Sequence, residues 1–399
     1  MKRIIQQSRL RQIHALWVGL ILVLSLSLSL PLTVQATTNL WSAATSLDQP
    51  HVYQAATLLT SGLVLVAGGF LGETGDSFPR PPLQDSQLYN APNNTWSENY
   101  TFPGSIGPTA TRLPSGQVLV TGGRGTQGNL AQALLYDPAS NTWSAAASLA
   151  TAHASHTATL LPSGQVLVVA GSNNITYQAN AERYDSASNT WSAAASLATA
   201  RAYHTATLLP SGQVLVAGGF NTYGSLASVE LYDPASNTWS AAASLANGRT
   251  YHTATLLPSG QVLVAGGAGI SGLASAELYD PVSNTWSAAA SLATARAYHT
   301  ATLLPSGQVL VVGGLDSSGY LASAELYDPA NNTWSAAASL ATARAYHTAT
   351  LLPSGQVLVV GGGQRSANPG PTGSYYIQAI ASAELFSTDV IYRNGFEGP

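Results

Sequence analysis

Cysteine is absent from these 399 residues, which removes disulfides, thiolate nucleophiles and cysteine metal sites from consideration together. Charge is scarce as well: 8% of residues are Asp, Glu, Lys or Arg, against about 25% in an average globular protein. Lysine occurs once, as Lys2, and Lys2, Arg3, Arg9 and Arg11 all fall in an N-terminal leader. Of the 14 basic residues, ten then remain against 18 acidic ones, a balance of −8. Nucleic-acid binding depends on clustered Lys and Arg that displace phosphate counterions, so it is not expected here. Helical periodicity is missing too, because Gly and Pro interrupt the chain every ten residues or so. No Gly-x-Ser-x-Gly, His-Glu-x-x-His, phosphate loop or dinucleotide fingerprint occurs.

The leader has a basic start, an apolar run from Ala15 to Leu32 and small residues at Val34 and Ala36. This grammar is that of a signal peptide over residues 1–36, cut after Ala36. The expectation is a secreted or extracytoplasmic protein (cell surface or periplasm) with no membrane association beyond the signal peptide. An uncleaved anchor is the alternative, and serines among the leucines together with Pro31 weigh against it.

What is abundant is repetition. Leu-Pro-Ser-Gly-Gln-Val-Leu-Val, a glycine pair, a variable stretch, Glu-Leu-Tyr-Asp-Pro and Asn-Thr-Trp-Ser recur along the chain. The tryptophans Trp41, Trp96, Trp143, Trp191, Trp239, Trp286 and Trp334 are spaced 55, 47, 48, 48, 47 and 48 residues apart. A unit this short cannot bury a core alone and must stack on copies of itself. Within the unit starting at Tyr203, four short strands a to d are expected: His204 to Leu209, Gln213 to Ala217, Ser228 to Tyr232 and Thr238 to Ala243. Turns at Pro210-Ser211-Gly212 and at Asp233 to Asn237 separate the first and last pairs. Radial packing of such meanders gives an all-β, seven-bladed β-propeller over residues 37–386. The first tryptophan precedes any a strand, and the last unit lacks a d strand. The N-terminal strand is therefore expected to complete the C-terminal blade, leaving no open sheet edge. Residues 387–399 leave the pattern as a short tail.

The glycine doublet, the Tyr before the Asp-Pro turn and the Trp seven residues later resemble the Kelch repeat. The His-Thr-Ala-Thr-Leu-Leu-Pro-Ser-Gly variant is similar to the Kelch units of galactose-oxidase-like proteins. That resemblance implies the propeller fold but fits enzymes, adhesins and binding platforms alike. The copper-radical oxidases of that group need a cysteine cross-linked to a tyrosine, so the absence of Cys weighs against carrying their copper ligands over. No metal and no cofactor is expected.

Antiparallel topology puts the a–b and c–d turns on one face and the b–c loops with the d–a crossings on the other. The first face is monotonous and the second holds nearly all the variation, so binding residues are expected there. Loop aromatics Phe70, Tyr177, Phe220, Tyr223, Tyr320, Tyr375 and Tyr376 suit a glycan or a protein partner. The crossings add Arg201 and Tyr203, Arg249 and Tyr251, Arg296 and Tyr298, and Arg344 and Tyr346. A polar group at Glu73, Asp76, Arg80 and Asp85 reads as a solvated loop. His204, His252, His299 and His347 follow the crossing tyrosines, and Glu230, Glu277, Glu325 and Glu384 lie on the c strands. The second blade has Ser105, Pro108 and Leu134 where others have Arg, His and Glu. That joint loss points to a structural pairing of Glu with His or Arg, because a buried carboxylate needs a partner. Metal binding by the histidine ring is not expected, since equivalent propeller positions lie on a wide circle while imidazole ligands must converge. The expectation is a monomeric, non-enzymatic binding module for an unidentified protein or glycan. A carbohydrate-active enzyme of galactose-oxidase-like ancestry and a purely structural repeat domain are the alternatives.

Overall fold

A computed structural model describes residues 37–72, 81–97, 100–269, 272–366 and 377–390. The expected signal peptide, the tail from residue 391, Tyr375, Tyr376, Glu73, Asp76 and Arg80 lie outside the described residues. Asn39–Ser387 form one compact unit. Of the second unit, Met1–Thr38 with Thr388–Pro399, only residues 37–38 and 388–390 are described, as the ends of two strands.

The fourth blade shows how the repeat folds. Its a, b, c and d strands are Thr205–Leu208, Val214–Ala217, Val229–Asp233 and Thr238–Ala242, paired antiparallel in chain order. The a–b turn closes because Gly212 adopts φ +86°, which lets its N–H reach the Leu209 carbonyl. In the c–d turn, Asp233 Oδ1 accepts from the Ala235 N–H and Asn237 sits at φ +53°. The Tyr232 hydroxyl donates to Asn237 Oδ1, so the buried tyrosine clamps the turn that follows it. The b strand is apolar throughout because neighbouring blades cover both of its faces, and Val214 to Ala217 are all buried.

Seven such sheets are present, and the seventh is built from both ends of the chain. In it, Thr37–Ala44 pairs with Ala383–Val390, beside Val357–Val360 and Thr348–Leu351. The inner strands follow one another around an axis, and Ala55–Leu58 touches both Thr109–Arg112 and Thr348–Leu351, which closes the ring. Only six asparagines take the positive-φ place of the c–d turn (Asn94, Asn141, Asn189, Asn237, Asn284, Asn332), because the seventh blade has no such turn. The first blade departs from the pattern: its d strand is only Thr95–Trp96, and Tyr100–Thr101 adds a further pairing to its c strand.

Tryptophan ties each blade to the one before it. Trp239 Nε1 donates to the Ala195 carbonyl at 2.7 Å, and Trp191, Trp286, Trp334, Trp41 and Trp96 repeat the bond to equivalent carbonyls. Trp143 instead meets Ser86 Oγ at 3.0 Å. The ring is thus stitched by one indole N–H per junction, each worth about 1 kcal/mol.

Candidate functional site

At the d–a crossings, successive residues of the Arg-x-Tyr-His run serve different ends. Arg201 is fully buried. Its guanidinium donates to the carbonyls of Gly218 and Ser228, to Ser228 Oγ and to Glu230 Oε1. Glu230 also accepts from the Ala198 and Thr199 N–H groups. The pair therefore bolts the crossing to the blade's own c strand. Arg249–Glu277, Arg296–Glu325 and Arg344–Glu384 repeat it at 2.5, 2.6 and 2.7 Å. This corrects the expectation that Arg201, Arg249, Arg296 and Arg344 face a ligand: each has no exposed surface, and both terminal guanidinium nitrogens of each bond inside the blade.

In the third blade, His153 takes the arginine's place and meets Glu182 at 3.3 Å. Burial raises the Glu182 pKa, but the His153 contact and the Ala150 and Thr151 N–H groups bring it below the ordinary carboxylate range. In the first blade, His51 Nε2 stands 3.4 Å from Asp85. Asp85 is accordingly a buried residue, not the solvated loop carboxylate expected from its neighbours. The second blade has neither charge: Ser105 Oγ donates to the Gly122 carbonyl and Leu134 packs in the core.

The histidines one residue beyond the tyrosines do not share the glutamates, which corrects that half of the expected pairing. His204 Nε2 meets Thr157 Oγ1 of the preceding blade at 2.9 Å, and His252, His299 and His347 meet Thr205, Thr253 and Thr300 in the same way. The arginine already satisfies the carboxylate, so the imidazole is used between blades. In the second, fourth, fifth and sixth blades the first glycine of the doublet lies against this ring: a Cβ on Gly218 would stand 2.9 Å from His252 Cε1 and 2.6 Å from the Arg249 carbonyl oxygen, and Ala170 holds that place in the third blade at φ +55°. Burial, helped by the nearby Arg249 and Arg344 charges, lowers the His252 and His347 pKa values to about 3. Among the described residues, no group of three or more His, Asp or Glu is arranged to hold a metal ion.

The tyrosines between Arg and His behave differently again. Tyr53, Tyr203, Tyr251, Tyr298 and Tyr346 all adopt left-handed backbone, φ 56° to 59°. Such φ values are rare for bulky residues and are held here by bonds between blades. The Tyr53 N–H donates to Tyr346, Tyr346 to Tyr298, Tyr298 to Tyr251, Tyr251 to Tyr203, and Tyr203 to Ser155. The side chains form an arc around the axis, with ring centroids 4.5, 3.8, 4.4 and 4.5 Å apart from Tyr203 through Tyr251, Tyr298 and Tyr346 to Tyr53. Burial, followed by the neighbouring hydroxyls, pushes the Tyr53 and Tyr298 pKa values far above the ordinary range, so both are neutral.

The arc is interrupted at two consecutive blades. Gly107 (φ +63°) and Ser155 (φ +54°) stand where the others have tyrosine. A cavity of about 490 Å³ opens at this gap. Tyr53 and Tyr203 border it from the two ends of the arc, and Tyr251, Phe70, Ile106 and Ile377 contribute further apolar wall. Asn129, Asn173, Asn174, Ser155, Ser172 and Arg124 supply the polar groups. The amides are fixed in place. Asn174 Oδ1 accepts from the Asn129 N–H, Asn129 Nδ2 donates to the Ser172 carbonyl, and Asn173 Oδ1 accepts from the Ile175 and Thr176 N–H groups.

The remaining candidate aromatics scatter over the same face. Phe70 is 5% exposed and stacks on Tyr53 at 6.0 Å, so it serves as cavity wall. Tyr177 and Phe220 meet edge to face at 5.9 Å across the junction of the third and fourth blades. Tyr223, at a hairpin tip, is 95% exposed, and Tyr320 is half-buried in the hairpin of Leu315–Asp316 with Gly319–Tyr320. Sequence reasoning missed Gly107 and Ser155, together with Arg124, Asn129, Asn173 and Asn174. The signal was available: these two blades break the Tyr position while the neighbouring blades keep it.

The fold and its crossings define a seven-bladed β-propeller. The Kelch motif matches residues 154–198, 201–246 and 296–341. Among solved structures, the chain is similar to a fungal alcohol oxidase of the AA5 family in complex with copper, with TM-score 0.68 and 18% identity over 88% of this chain and 76% of that one. It is also similar to YjhT, with TM-score 0.58 and 16% identity over 74% of this chain and 99% of that one. These likenesses are of fold. No curated protein sequence matches the chain.

Proposed function

We propose that this protein is a secreted, non-enzymatic binding module that holds a glycan or protein partner on its b–c and d–a loop face. One observation carries the reading. The two blades that lack the axial tyrosine border a cavity bounded by fixed amides and aromatic rings, while the opposite face repeats the same turns. A rigid ring with variable loops at one end is a common platform for recognition. The test exchanges the b–c loops of the second and third blades for those of the fourth. Wild-type protein is expected to retain a partner on a glycan array or in a pull-down from its native medium, and the exchanged protein to lose it. Equal retention by both would overturn the reading. Secretion is tested separately by the N-terminus of exported protein, which is expected to be Thr37.

A further inference from the structure

We infer that the axial cavity is a saccharide site, built for one terminal sugar ring that is uncharged or anionic, and that Gly107 and Ser155 are the residues that create it. This inference rests on the binding-module reading and adds the ligand's chemistry and its place. Five blades fill the axial position with a tyrosine and two do not, and the cavity lies at those two. The tyrosine could have been accommodated: a Cβ on Gly107 meets nothing within 4 Å, and its φ of +63° is close to the 56° to 59° of the tyrosines. The gap is therefore a side-chain choice on a backbone that would accept the larger residue.

The walls define the ligand. Its size, about 490 Å³, falls within the ~300–1,000 Å³ of small-molecule sites and is too small for a folded partner. Tyr53, Phe70 and Tyr203 line the cavity with aromatic carbon, which suits the C–H surface of a pyranose. Amides and hydroxyls both donate and accept, as sugar hydroxyls do. The orientations of Asn129, Asn173 and Asn174 are set by bonds already made within the two loops, so little order has to be gained on binding. A nucleotide would call for a helix N-terminus or an equivalent phosphate cradle, and the described residues contain no helix. Arg124 is the charged side chain among the described lining residues, which disfavours a cationic ligand.

The experiment titrates wild-type protein and the Gly107→Tyr/Ser155→Tyr variant with the methyl glycosides of glucose, galactose, mannose and N-acetylglucosamine, with glucuronate and with glucosamine. Calorimetry reads affinity and thermal melting reads fold. At least one uncharged or anionic sugar is expected to bind wild type, and filling the gap to weaken it by more than about tenfold with the melting temperature maintained. Glucosamine at neutral pH is expected to bind more weakly than glucose. Should the double variant fail to fold, Ser155→Tyr alone and Arg124→Ala supply the same comparison. The inference is overturned if no sugar binds wild type, if glucosamine binds best, or if filled protein binds as well as wild type. Loss of partner capture on Tyr223→Ala, with none on gap filling, would leave the binding-module reading standing and sink this one alone.

Discussion

Acid should unfold this propeller well above the pH at which its carboxylates titrate, and the histidine ring sets the size of the effect. His156, His252, His299 and His347 are buried, and their pKa values fall from 6.5 to about 3. Burial is the largest cause in each, with a neighbouring positive or potentially positive group, Arg or His, adding to it. A depressed histidine pKa means that the unfolded chain binds the proton more readily than the folded one. The associated stability is complete above pH 6.5 and is lost as pH falls toward 3. Between pH 7 and pH 5 each histidine then removes about 2 kcal/mol, and the four together about 8 kcal/mol. That compares with roughly 5–15 kcal/mol for the whole stability of a typical domain. His204 shifts in the same direction and adds to the loss. The melting temperature, followed by scanning calorimetry from pH 8 to pH 5, is expected to drop by about 10 °C, since a unit of this size unfolds with an entropy of about 0.7 kcal/mol/K. Gln54 occupies the equivalent place in the first blade, donating to the Val360 carbonyl at 2.8 Å, so His252→Gln has a precedent within the chain. That variant should reduce the pH slope by about a fifth. A melting temperature constant to within a few degrees over this range, or buried imidazole resonances titrating near pH 6.5, would refute the argument.

The buried ion pairs make a second prediction. Glu277→Ala strands Arg249 without its carboxylate and is expected to cost about 3–5 kcal/mol in chemical denaturation, whereas Arg249→Ser with Glu277→Leu, copying the second blade, should recover much of that loss. Deleting residues 39–47 removes most of the strand that completes the seventh blade and bares the Ala383–Val390 edge. A large fall in melting temperature and new aggregation are expected, and an unchanged melting curve would contradict closure by this segment. Gly219→Ala places a methyl 2.8 Å from the Ala202 carbonyl oxygen and 2.9 Å from His204 Cβ at φ +101°, so soluble yield should fall sharply, while the same change at Gly107 should be tolerated.

The sequence reading and the structure agree closely on the wedge. The expected strands of the fourth blade differ from the observed ones by a residue or so at their ends, because strand, turn and tryptophan positions rest on local pattern. The extra pairing of Tyr100–Thr101 lies in an interval of ordinary length, between Trp96 and Trp143, and nothing local marked it. The crossings were read less well. Arg201, Tyr203 and His204 are near neighbours in the chain, yet the first turns into its own blade, the second to the axis and the third to the preceding blade. Composition gives no hint of that division, which follows from the left-handed backbone at the tyrosine.

The amino-acid sequence by itself determined the unit, the number of units and the way the ring shuts, because each depends on contacts within one repeat or on where the first and last repeats break off. The tertiary structure alone decided which polar side chains are sealed in and where the arc of tyrosines opens. Tyr53, Ser155 and Ile377 meet around one cavity although far apart along the chain. A neighbourhood of that kind exists only once the ring has closed and every crossing has been brought to the same axis.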